Sequence, residues 1–165
     1  ILARVRKRGH NLHLHIVGGA EGNSAYVRRL RKDCLERNPD WVSFEGKLDV
    51  RSKNELIGKH RFGISGRRNE PFGIAVAEMV KGGCLVFVPN GGGQVEIVDH
   101  PRLIFDDEDE AVDKICSVLE DTSLRNDLGA HLAKGIDRFS VEAFQEGVRQ
   151  TVKEFFEQRS RAGYL

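Results

Sequence analysis

Short apolar runs alternate with segments of helical period along most of this chain, and that alternation restricts the fold more than any other feature. Leu12 to Val17, Trp41 to Phe44, Phe62 to Ser65, Cys84 to Val88 and Leu103 to Phe105 read as strands. Between them, helices are expected at about residues 23–37, 52–58 and 73–81. Repeated strand–helix units predict an α/β fold, a doubly wound parallel sheet with helices on both faces. Beyond Phe105 the chain reads as helical, with Ala111, Ile115 and Leu119, then Leu124, Leu128 and Leu132, recurring every four residues. The last helix has Ser140 as its N-cap, with Phe139 and Phe144 placed for a hydrophobic staple. Phe144, Val148, Val152 and Phe155 are expected to form its buried stripe.

A chain of 165 residues suits one domain, residues 1–165, large enough for a sizeable core. It carries 26 basic and 25 acidic residues, so no overall charge favours nucleic acid or an anionic membrane. The basic clusters at residues 4–8 and 28–32 lack interleaved aromatics and read as solvated helix faces. Cys34, Cys84 and Cys116 lie far apart without metal-ligand spacing, which fits a reducing compartment, and Cys84 reads as a small core residue. No apolar run approaches the length that spans a bilayer, and there is no signal-peptide pattern.

Ligands of doubly wound sheets bind outside the carboxyl ends of the strands. Here those ends are rich in glycine and acid: Gly18-Gly19, Glu45-Gly46 and Gly91-Gly92-Gly93. The fourth opens on Asn69-Glu70-Pro71-Phe72-Gly73-Ile74, the start of a helix that is apolar apart from Glu78 and Lys81. A carboxylate on such a helix is costly without partners. Lys81, three residues on, is the local candidate; a ligand bearing hydroxyl groups is the other. The free N–H groups of Phe72, Gly73 and Ile74 offer an anion site that needs no side chain. Glu70 and Glu78 would then stand at the two ends of a diphosphate-containing ligand. The competing reading makes Glu70 a capping acid and Glu78 the partner of Lys81.

Residues 69–98 resemble the C-terminal domain of retaining glycosyltransferases of family 4 (group 1), which have the Rossmann-like GT-B fold. The likeness rests on two glutamates with seven residues between them, the first followed by Phe-Gly, and on Gly92-Gly93-Gln94-Val95-Glu96 downstream. It extends from about residue 10 to residue 155 and implies transfer of a sugar from a UDP- or GDP-sugar to an acceptor hydroxyl. The wording from Asn69 to Glu78 is similar to mannosyltransferases that extend dolichol-linked oligosaccharides, which points to GDP-mannose. By that resemblance Glu70 would hydrogen-bond the donor sugar as the one catalytic-site carboxylate, Glu78 would hold the ribose, and Phe72, Gly73 and Ile74 would cradle the diphosphate. Gly18, Gly19, Glu45, Gly46 and Lys47 would line the nucleobase. Gly92, Gly93 and Glu96 would sit near the phosphates or the acceptor. No metal or other cofactor is implied, because the helix dipole and basic groups take its place. Retention would proceed by front-face attack, with Glu70 positioning the sugar, or through a covalent intermediate for which Glu70 is the local candidate nucleophile; the front-face route is favoured.

The same resemblance implies that the chain is a fragment. The family's diphosphate-binding Arg and Lys follow a first strand that would precede Ile1, and an acceptor-binding N-terminal domain would precede that. The missing strand would belong at the centre of the sheet. Alone, the chain is expected to be inactive, and its location cytoplasmic, with any membrane contact made through the absent domain.

Two other function classes match part of the sequence. Gly18-Gly19-Ala20-Glu21-Gly22 after a strand, with Glu45 ending the next, resembles an NAD(P)-binding site of an oxidoreductase, but Ala20 and Asn23 occupy positions where the fingerprint needs glycine. A non-catalytic nucleotide-binding module is the third class. His13 and His15 share a strand face as a metal pair would, but no third ligand is in view. Residues 63–67 lack the second glycine of a nucleophile elbow. The acidic run Asp106 to Glu110 lacks calcium-loop spacing and is expected to complement the positive end of the helix it opens.

Overall fold

A computed structural model describes residues 1–18, 25–37 and 40–161. In chain order the elements are α1 (Leu2–Lys7), β1 (Leu14–Val17), α2 (Ala25–Arg37), β2 (Val42–Gly46), α3 (Val50–Gly58), β3 (Phe62–Ile64) and α4 (Ile74–Lys81). They continue as β4 (Leu85–Pro89), α5 (Gln94–Val98), β5 (Ile104–Phe105), α6 (Glu108–Glu120), α7 (Thr122–Ile136) and α8 (Val141–Arg161). All strand pairs are parallel, as the alternation requires.

β4 is the hub. Every residue of Leu85–Pro89 is buried, which is why this strand reads as an unbroken apolar run rather than an alternating one. Around it pack Val76 and Val80 of α4, Ile97 and Val98 of α5, Val112 and Ile115 of α6, and Leu128 and Leu132 of α7. The basic segment at residues 4–8 is not simply a solvated face. Val5 is fully buried, while Arg4 pairs with Asp109 and Arg8 with Asp113, so α1 lies against the acidic start of α6. Asp107 caps α6 by accepting from Glu110 N, and the acidic run complements the helix dipole as expected.

The parallel sheet is divided. β1 pairs with β2, and β4 lies between β3 and β5, but no ladder joins β1 to β3 among the described residues. A cavity of about 170 Å³ separates them, touching His13, Leu14 and His15 on one side and Phe62, Gly63 and Ile64 on the other. Neighbouring strand residues point to opposite faces, so a cavity meeting three in a row meets the strand edge. The register agrees. Leu14 N bonds Trp41 O and Ser65 N bonds Phe87 O, which turns the alternate backbone groups of His15, Val17, Phe62 and Ile64 toward the cavity.

The end of the chain departs from expectation. Ser140 does cap α8, accepting from Ala143 N. However, Phe144 is 71% exposed, Val148, Val152 and Phe155 are about half exposed, and the staple partner Phe139 is exposed as well. The pattern encodes an apolar face but not what covers it. The main packing partner of α8 is the short 3-10 turn Asp137–Phe139, which leaves its stripe in solvent.

Candidate functional site

The entry to α4 is built from close backbone approach. Gly73 is its N-cap in the left-handed conformation (φ 77°), with no side-chain cap. A Cβ there would lie 2.8 Å from Ile97 Cδ1 and 3.0 Å from Gln94 Cα, so both the backbone angle and the proximity of α5 call for glycine. The first N–H groups of α4 thus have no capping side chain, as an anion site requires. Phe72 and Ile74 flank the turn at 77% and 68% exposure, which is unusual for two large apolar residues in a row.

Beside this turn runs the glycine loop. Glu70 forms a parallel bridge with Gly92, and Gly93 N donates to Glu70 O at 2.8 Å. Gly93 and Gly92 therefore lie against the backbone of residues 70–71, with a Cβ on Gly93 reaching 2.5 Å from Pro71 O. Gln94 locks both loops from beneath. It is fully buried, and its Nε2 donates to the carbonyls of Arg67 (2.9 Å), Pro89 (3.1 Å) and Gly91 (3.2 Å). Sequence reasoning passed over Gln94. The available signal was a glutamine opening an apolar turn, with Ile97 and Val98 at the following helical positions. Glu96, on the first turn of α5, is exposed.

Both motif glutamates have cationic partners. Arg67 Nη1 lies 3.1 Å from Glu70 Oε2, although Arg67 is itself largely exposed. Glu78 is paired not with Lys81 but with Lys53, whose Nζ lies 2.5 Å from its Oε1. The correction has a geometric cause. α3 crosses close enough for a residue 25 positions earlier to reach α4, and sequence spacing sees only neighbours within one helix.

The ends of β1 and β2 form a second cluster. Gly18 N donates to Gly46 O at 2.9 Å, and His15 Nδ1 lies 2.7 Å from Glu45 Oε1. His13 Nε2 contacts Ser43 Oγ at 2.9 Å, while the ring of His15 meets that of His13 at a tilt (4.7 Å) and that of His60 edge-on (4.8 Å). Among the described residues no group of His, Cys, Asp or Glu is arranged to hold a metal ion. Lys47 follows Gly46 and leads into α3, so the Lys53–Glu78 pair ties the β2 end to α4. Gly19 lies outside the described residues.

The sequence profile of the glycosyl transferases group 1 matches residues 1–134, most of the chain. The chain belongs to that family. No curated protein sequence gives a significant match. Among solved structures, a sucrose-phosphate synthase from Thermosynechococcus elongatus superposes with TM-score 0.76 at 23% identity, covering 95% of this chain and 42% of that one. HepE of Anabaena, solved in complex with UDP-glucose, gives TM-score 0.76 at 21% identity, with 93% and 44% covered. A glycosyltransferase from Rickettsia africae gives 0.75 at 20%, with 93% and 42% covered. These likenesses establish the fold, that of the C-terminal domain of GT-B glycosyltransferases. The chain spans about two fifths of the length of those relatives. None of its described helices is long and apolar enough to cross a membrane.

Proposed function

We propose that this chain is the donor-binding half of a retaining glycosyltransferase of family 4, which moves a sugar from a nucleoside diphosphate sugar to an acceptor hydroxyl. The observation that carries the reading is the left-handed, uncapped start of α4 at Gly73, with Glu70 and Glu78 on either side of it. A diphosphate at the N–H groups of this helix would gain charge-assisted hydrogen bonds that strengthen as the leaving group takes on charge. Glu70 would accept hydrogen bonds from the donor sugar, and Glu78 from the ribose. The β1 and β2 ends, with Gly18, Gly19, Glu45, Gly46 and Lys47, would face the base. Glu96 and the glycines before it would lie toward the phosphates or the acceptor.

HepE was solved with UDP-glucose, which favours a nucleotide-sugar donor here; UDP- and GDP-sugars, GDP-mannose included, are both within the reading. No metal is needed in it, and attack is front-face, with the acceptor held by a separate domain and the isolated chain inactive. The test is calorimetry or ligand-observed NMR with UDP, GDP and NAD. A nucleoside diphosphate should bind more tightly than NAD, and Glu78→Ala should weaken it about tenfold, the loss of one charge-assisted hydrogen bond or two. Tighter binding of NAD, or unchanged binding by Glu78→Ala, would sink the proposal.

A further inference from the structure

Lys53 stands where a lysine does nothing for its own helix. It lies in the first turn of α3, at the positive end of the helix dipole, where acidic side chains are favoured and basic ones are not. That start needs no help, because Asp49 caps it, accepting from Ser52 N at 2.8 Å and Ser52 Oγ at 3.0 Å. The ammonium is instead spent on α4, 2.5 Å from Glu78 Oε1, with both side chains about two-thirds or more buried. Exposed ion pairs fix little, but a half-buried pair of this kind sets the rotamer of both partners. Among the described residues Oε2 of Glu78 carries no hydrogen bond, so the pair leaves one carboxylate oxygen without a protein partner.

We propose that Lys53 is a positioning residue that determines ribose specificity: by holding Oε1 it keeps Glu78 turned so that the carboxylate accepts from the vicinal hydroxyls of a ribonucleoside diphosphate. The inference rests on the donor-site reading above and adds to it a residue far from the motif. Removing the ammonium frees Glu78 to rotate toward solvent, and the hydroxyl-reading contact goes while the diphosphate contacts at Gly73 stay. The loss therefore falls on ribose recognition and not on nucleotide binding in general.

The test is a comparison of UDP with 2′-deoxy-UDP, and of GDP with 2′-deoxy-GDP, on the 165-residue chain, Lys53→Met, Lys53→Arg and Glu78→Gln, by titration calorimetry or saturation-transfer NMR. The unsubstituted chain should prefer the ribo form about tenfold. In Lys53→Met that preference should fall to less than about threefold, with the deoxy affinity changed by less than twofold, and Lys53→Arg should restore most of it. A purely structural lysine would lower both affinities together, and a Lys53→Met chain that keeps the full preference overturns the inference. If that happens while Glu78→Gln still abolishes the preference, only the role of Lys53 falls. If the unsubstituted chain shows no ribose preference and Glu78→Gln changes nothing, the donor-site reading falls and takes the inference with it.

Discussion

Gly92→Ala tests whether the glycine loop and the first motif glutamate form one rigid unit. Gly92 has φ 73°, a left-handed conformation that costs an L-residue about 1–2 kcal/mol. Its added Cβ would overlap the Glu70 carbonyl oxygen and lie 2.8 Å from Glu70 N and C. These are backbone atoms, and they are tied down. Gly93 N bonds Glu70 O at 2.8 Å, and Gln94 bonds Arg67 O at 2.9 Å a few residues upstream. Overpacking against such a fixed wall costs about 1–3 kcal/mol. The sum is about 2–5 kcal/mol, out of a total stability of roughly 5–15 kcal/mol. With a urea m-value of about 2 kcal/mol/M, the unfolding midpoint should fall by about 1–2.5 M. Gly129→Ala is the matched control. It lies within α7 at negative φ, with nothing within 4 Å of the added Cβ, so it should stabilise by about 0.5–1 kcal/mol. If Gly92→Ala shifts the midpoint no more than Gly129→Ala does, the two loops are not packed as a unit and the site geometry is wrong.

Two further outcomes can be checked. Burial, the neighbouring His131 and Arg102 together push the His100 imidazole below its ordinary value, against a smaller opposing pull from Asp99. Arg102 N also donates to His100 Nδ1 at 3.2 Å, a bond that protonation of that nitrogen would break. Because the unfolded chain takes up this proton more readily, stability should rise as the pH increases toward the ordinary imidazole value, and His100→Asn should flatten that slope in urea midpoints. Parallel pH profiles for the two proteins would exclude the effect. Amide exchange should alternate along the edges of the cleft. His15, Val17, Phe62 and Ile64 should exchange faster than Leu14, Ile16, Gly63 and Ser65, whose backbone groups face a paired strand. Equal protection of the two sets would mean that β1 and β3 are bridged in solution.

What was legible in the sequence is what local pattern can carry. The five strands and helices α2, α3, α4, α6, α7 and α8 followed from periodicity, while the short α5 did not, and Ser140 caps α8 as its type suggested. The motif glutamates, the turn at Gly73 and the glycine loop were visible because each constrains a residue type at a fixed offset. Contacts between elements were not. Nothing near Glu78 in sequence announces Lys53, and the local alternative, Lys81, fits the spacing equally well. The misread face of α8 has the same origin: Phe144, Val148, Val152 and Phe155 share a stripe whether or not anything covers it. The divided sheet fits the same account, since a pattern can say that Leu14–Val17 and Phe62–Ile64 are strands but not which edge each one satisfies. The site draws on both kinds of information. The turn at Gly73 is a local device and survives in the motif, whereas the partner of the second motif carboxylate, Lys53, comes from a helix elsewhere in the fold.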